Sequence, residues 1–144
     1  MKTLVSIITL AISAQVIAAS ELRSPEQLFA KKCAMCHNID RPQNKIQRKL
    51  MVAPPIKMAM KGVVVTIDAM DGPFSPKDLR DESITFIKDY LYNPTRDKTN
   101  CEDHVVNRFG VMPSLKGFIK TEELDLLVPW VYDNFKPVKV NGKW

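Results

Sequence analysis

The chain has 144 residues, a formal net charge of +5, 26% charged residues and five glycines. That is enough chain for one ordinary domain with a single core. The modest basic excess suits an acidic protein partner or an anionic surface, and the charges are too dispersed among non-aromatic residues for nucleic-acid binding.

In chain order, the first predicted element is a leader. Lys2 supplies a positive charge, residues 4–19 are apolar apart from Ser, Thr and Gln, and Ala18, Ala19 and Ser20 offer a peptidase site. The apolar run falls short of the roughly 20 residues a membrane span requires. Residues 1–19 therefore read as a signal peptide and 20–144 as one exported, periplasmic domain with no stable membrane insertion after cleavage. An uncleaved membrane anchor is the alternative.

Ser24-Pro25-Glu26-Gln27 predicts a helix start, with Ser as N-cap, Pro at the first position and Gln27 closing a capping box. Leu28 and Phe29 give that helix an apolar edge, and it runs into Cys33. Residues 38–49 read as a loop. Residues 54–68 are ambiguous, because Ile56, Met60, Val63, Val64 and Ile67 fit a helix face while Val63-Val64-Val65-Thr66-Ile67 is strand-like. Their first half reads as helix. Ser75-Pro76-Lys77-Asp78 starts another helix, with Leu79, Phe86, Ile87, Tyr90 and Leu91 on one face and Asn93-Pro94 at its end.

Residues 93–111 read as a long loop. Thr121 then caps a final helix whose Leu124, Leu127, Val128, Val131 and Phe135 form an apolar stripe, with Pro129 expected to bend it. No run of alternating strands with Gly turns is present. The fold class is all-α.

The chemistry concentrates at Cys33-Ala34-Met35-Cys36-His37. Cysteines at i and i+3 lie on one helical face, where both sulfurs reach the two vinyl groups of one haem, and the next residue falls beneath the porphyrin. Two other readings compete. A thioredoxin-like thiol pair lacks its βαβ surroundings. A structural zinc site would join Cys33 and Cys36 to Cys101 and His104 as a Cys₃His set, leaving His37 unexplained.

An electron-carrying haem iron calls for a second axial ligand, and Met with His raises the potential. Met112 has the setting for it in Phe109-Gly110-Val111-Met112-Pro113, with a glycine for close backbone approach and a stiffening proline behind. His104, another methionine or an open site are the distal alternatives. Cys101 is left unpaired once a haem takes two of the three cysteines; it reads as a buried, inert thiol, with an intermolecular disulfide or a regulatory thiol as the alternatives.

Taken together, CAMCH after an N-terminal helix, "APPI" at residues 53–56, "FGVMPSL" and "TEELDLLVPWVYDNF" resemble the class I monohaem cytochromes c across nearly the whole mature chain. The resemblance implies a cytochrome c-like fold in which the N- and C-terminal helices cross over one covalently bound haem c. It implies thioethers from Cys33 and Cys36, His37 and Met112 as axial ligands, and Pro54 or Pro55 as the proline whose carbonyl orients the proximal imidazole. Leu28 and Phe29 would meet the stripe of the last helix.

The function expected is single-electron transfer between a redox donor and an acceptor. The chain carries no Ser/His/Asp arrangement, paired carboxylates or nucleotide loop, so it reads as a carrier and not an enzyme. Lys45, Arg48, Lys49, Lys57, Lys61, Lys116 and Lys120 would steer acidic docking faces toward the haem edge. Two alternatives stand beside it: a haem-based sensor or enzyme with a labile distal ligand, and a haem subunit of a respiratory complex.

Overall fold

The computed structural model describes residues 24–144, so the leader expected at residues 1–19 lies outside the described residues. Six helices form among them: α1 (Pro25–Lys32), α2 (Lys45–Leu50), α3 (Ile56–Asp71), α4 (Pro76–Tyr92), α5 (Asp103–Phe109) and α6 (Thr121–Phe135). Beyond the helices there are two isolated bridges, Lys116 with Ile119 and Val140 with Lys143, and no strand among the described residues. The class is all-α, as expected.

The helix starts follow from their first residues. Ser24 Oγ accepts the Gln27 N–H and the Gln27 side chain accepts the Ser24 N–H, both at 3.2 Å, which closes the capping box of α1. Ser75 does the same work for α4 by accepting the Asp78 N–H at 3.2 Å. α6 begins differently from expectation. Its N-cap is Lys120, whose N–H donates to Glu123 at 3.0 Å, and Thr121 is already helical.

α3 is helical through its whole length, including the strand-like valines. Ile56, Met60 and Val64 recur every fourth residue and are all buried, while Met58 between them is 41% exposed; one face of a helix gives that pattern, whereas a strand would place Met58 on the same face as Ile56 and Met60. No neighbouring strand exists among the described residues to hold an extended alternative.

The core joins α1, α3, α4 and α6. Leu28 and Phe29 of α1 are buried with Leu124, Leu127, Val128, Val131, Tyr132 and Phe135 of α6. The Phe29 ring lies 5.5 Å from Trp130 and 5.1 Å from Phe135. The expected meeting of the first and last helices is thus found. On α4 the buried face is shifted from the expected one: Leu79 and Ser83 are buried and Ile87 and Leu91 pack partly against the core, while Phe86 and Tyr90 stack on each other at 5.8 Å.

The C-terminal residues fold back on α3. Asp68 Oδ2 accepts from Lys139 Nζ at 2.6 Å and from Trp144 Nε1 at 2.9 Å, and Lys139 also sits 4.5 Å from the Trp144 ring centroid. None of the described helices is long and apolar enough to cross a membrane.

Candidate functional site

The site starts where α1 stops. The Cys33 N–H still reaches Phe29 O at 2.9 Å, and the chain then tightens, with the Cys36 and His37 N–H groups both returning to Cys33 O at 3.1 and 2.9 Å. This turn presents Cys36 to solvent and leaves Cys33 partly buried against the core. All three cysteines are free thiols. Burial, and secondarily the neighbouring Cys36, push the Cys33 thiol up to about 11. A catalytic thiol pair needs a lowered pKa to supply thiolate, so the thioredoxin-like reading finds the opposite electrostatics at Cys33.

His37 is half-buried and its ring is held in one orientation. Its Nδ1 lies 2.7 Å from Pro54 O. A carbonyl oxygen can only accept, so the proton resides on Nδ1 and Nε2 carries the lone pair. Burial lowers the His37 pKa, only partly offset by the Pro54 carbonyl, and favours this neutral form. A neutral, oriented imidazole with a free Nε2 is what a metal ligand requires.

The choice between the two prolines is decided by which carbonyl is free. Pro55 is the N-cap of α3, and its carbonyl already accepts from Met58 N at 2.9 Å and Ala59 N at 3.0 Å. Pro54 stands outside the helix with its carbonyl turned to His37. A second bond, Ile56 N–H to Asn38 O at 2.8 Å, fixes the two segments side by side.

His37 opens on a cleft of about 580 Å³, bordered by Ala34, Ile39, Pro42 and, from α2, Gln47. α2 occupies the stretch expected as a loop. Its N-cap Asn44 accepts the Gln47 N–H at 2.9 Å, yet the helix buries no side chain. Ile46 and Leu50, one turn apart, are 71% and 75% exposed, and Val52 is exposed beside them.

Met112 sits half-buried in the segment between α5 and α6. Gly110 ends α5 at φ 76°, a left-handed conformation that favours glycine, and a Cβ there would meet nothing within 4 Å. Downstream, Leu115 N–H donates to Leu91 O at 2.8 Å and Ser114 Oγ to Tyr92 O at 2.6 Å, pinning the segment to the end of α4. Met112 does not border the His37 cleft.

His104 is on exposed α5, with Nδ1 3.1 Å from Glu102 Oε2. It borders a second cleft, of about 320 Å³, together with Met58, Gly62 and Cys101. Cys101 is thus half-buried at a cleft margin, not fully enclosed as expected. Among the described residues no group of three or more His, Cys, Asp or Glu comes together to hold a metal, so the Cys₃His zinc set is not assembled.

Lys45, Arg48, Lys49, Lys57, Lys61, Lys116 and Lys120 are all exposed, with Lys57 paired to Asp40 at 3.3 Å. Two contacts carried no sequence signal: Arg108 Nη2 donates to Arg48 O, and Lys32 Nζ donates to Phe118 O.

No family model matches the chain, and no solved structure matches it. An uncharacterized protein of Aquifex aeolicus (strain VF5) is 32% identical over 140 residues, covering 90% of this chain and 87% of its own length. The chain belongs to the same family as that protein.

Proposed function

We propose that this chain is an exported c-type cytochrome of the class I kind, a carrier of single electrons between a redox donor and an acceptor. The observation that carries the reading is the 2.7 Å bond from His37 Nδ1 to Pro54 O, made next to two unpaired cysteines. The residues fit a covalently attached haem. Cys33 and Cys36 would supply the thioethers, His37 Nε2 the proximal bond to iron, and Met112 the distal one. The haem supplies a one-electron ferrous–ferric couple.

The chain's own residues do the rest. The Pro54 carbonyl holds the imidazole in orientation and raises its basicity as a ligand. Ile46, Leu50 and Val52, exposed apolar side chains of the segment between His37 and Pro54, would exclude water from the cofactor if it seats against α2. The exposed lysines of the rim draw in an acidic partner face. His104 as distal ligand is the weaker assignment, since its Nδ1 is engaged by Glu102 and it borders the other cleft.

A second reading, a haem sensor with a labile distal ligand, is favoured by one observation, the absence of Met112 from the margin of the His37 cleft. Optical redox titration of protein exported from a host competent in cytochrome c maturation separates the possibilities. The carrier reading expects one haem per chain, a reversible one-electron transition and slow carbon monoxide binding to the ferrous form. Fast carbon monoxide binding selects the sensor. Absence of a Soret band, with Cys33 and Cys36 still titrating as thiols, defeats both.

A further inference from the structure

α2 has little of its own to hold it. It has six residues and no buried side chain, far short of the length at which an isolated helix sustains itself in water. Its N-terminus is closed locally by Asn44 and by Gln47, whose side chain accepts the Gln43 N–H at 2.7 Å. At its C-terminus the Arg48 carbonyl receives a long 3.4 Å bond from Met51 N–H, and the guanidinium of Arg108 donates to the same oxygen from across the fold. A cation at the end of a helix is where the backbone dipole favours it.

Arg108 lies in the last turn of α5 with its guanidinium 4.7 Å from the Phe109 ring centroid, and the chain then turns through Gly110 to Met112. A single side chain therefore joins the helix that borders the His37 cleft to the segment that carries Met112. We propose that Arg108 is a positioning residue, a brace that holds the α2 wall and the Met112 segment closed over the same cofactor. The inference rests on the haem reading for its consequence and on the Arg108–Arg48 contact for its geometry. Without the brace α2 and the Met112 segment would loosen, and a small ligand would reach more readily the haem that Cys33, Cys36, His37 and Met112 would hold.

Ferric haem-loaded protein is tested with imidazole as probe, alongside amide hydrogen exchange. Loss of one charge-assisted hydrogen bond predicts imidazole uptake on the order of tenfold faster in Arg108→Ala. Exchange should rise in residues 45–51 and 110–114 and stay unchanged in α1 and α6. Arg108→Lys keeps the charge without the planar fork and should fall between the two. Asn44→Ala loosens α2 from its other end, leaves α5 untouched, and should also speed uptake. Unchanged imidazole rates in Arg108→Ala and Asn44→Ala, or exchange raised equally throughout the molecule, would overturn the brace. Wild-type protein lacking haem would sink the functional reading separately, with exchange in the unloaded chain still deciding the Arg108 contact.

Discussion

The α1–α6 contact and the α2 insert lie on either side of Cys33, and they are built on opposite principles. Where α1 meets α6, apolar side chains are buried and aromatic rings pack at 5.1 to 5.7 Å. In the insert between His37 and Pro54, the apolar side chains of α2 face outward and the local order comes from hydrogen bonds and one arginine. The first region satisfies itself. The second leaves its apolar side chains uncovered, and the difference separates residues that build the core from residues the core does not use.

The largest effect that tests this contrast belongs to the packed side. Leu127 is 1% exposed, and Leu127→Ala should cost about 2–5 kcal/mol in denaturant unfolding, the sum of lost transfer energy and a residual cavity. The loss should be the same in haem-loaded and haem-free protein. A cost below about 1 kcal/mol, within the range of ordinary surface changes, would show that the α1–α6 contact is not the centre of stability.

The insert predicts a conditional effect. Ile46→Ala and Leu50→Ala each remove an exposed side chain, so in haem-free protein both should stay within about 0.5 kcal/mol of wild type. If a bound haem covers those side chains, each truncation should cost about 1.5–3 kcal/mol in the loaded protein. Equal costs in the two forms would mean that α2 is an ordinary surface helix and not a cofactor wall.

Much of the packed region was legible in the sequence because its signals are local and periodic. Ser24 with Gln27, Ser75 with Pro76, and the Leu124–Leu127–Val128–Val131 stripe specify helices without reference to anything distant. The valine run of α3 misled at its second half, since intrinsic strand preference is weak and burial of Ile56, Met60 and Val64 on one face prevails. α2 and α5 escaped notice for a physical reason: six and seven residues carry too little periodicity to register. A cue for α2 was nonetheless present in Asn44 placed three residues before Gln47.

The site divides in the same way. C-x-x-C-H is a local pattern and could be read directly, whereas the choice of Pro54 over Pro55 depends on which carbonyl the start of α3 has already consumed. Arg108 and the Asp68 clamp join residues 60 and more positions apart, through contacts that only the fold creates.

The smallest predicted effect places a charge dependence on the packed side and none on the insert wall. Asp68 holds the returning C-terminus through Lys139 and Trp144, and those hydrogen bonds, Lys139 first, keep its pKa below the ordinary 3.8. Its folded pKa is the lower one, so the unfolded chain binds the proton more readily. The clamp's contribution is therefore complete above about pH 4 and is lost as pH falls through the depressed folded value. Acidification from pH 5 toward pH 2 should thus release Trp144 before the α1–α6 core opens, seen as a fluorescence change preceding the loss of helical circular dichroism. Asp68→Asn should show the released signal already at neutral pH and lose the early acid step. An early step that persists in Asp68→Asn would move the acid sensitivity elsewhere, and with it the claim that Asp68 fastens the C-terminus to α3.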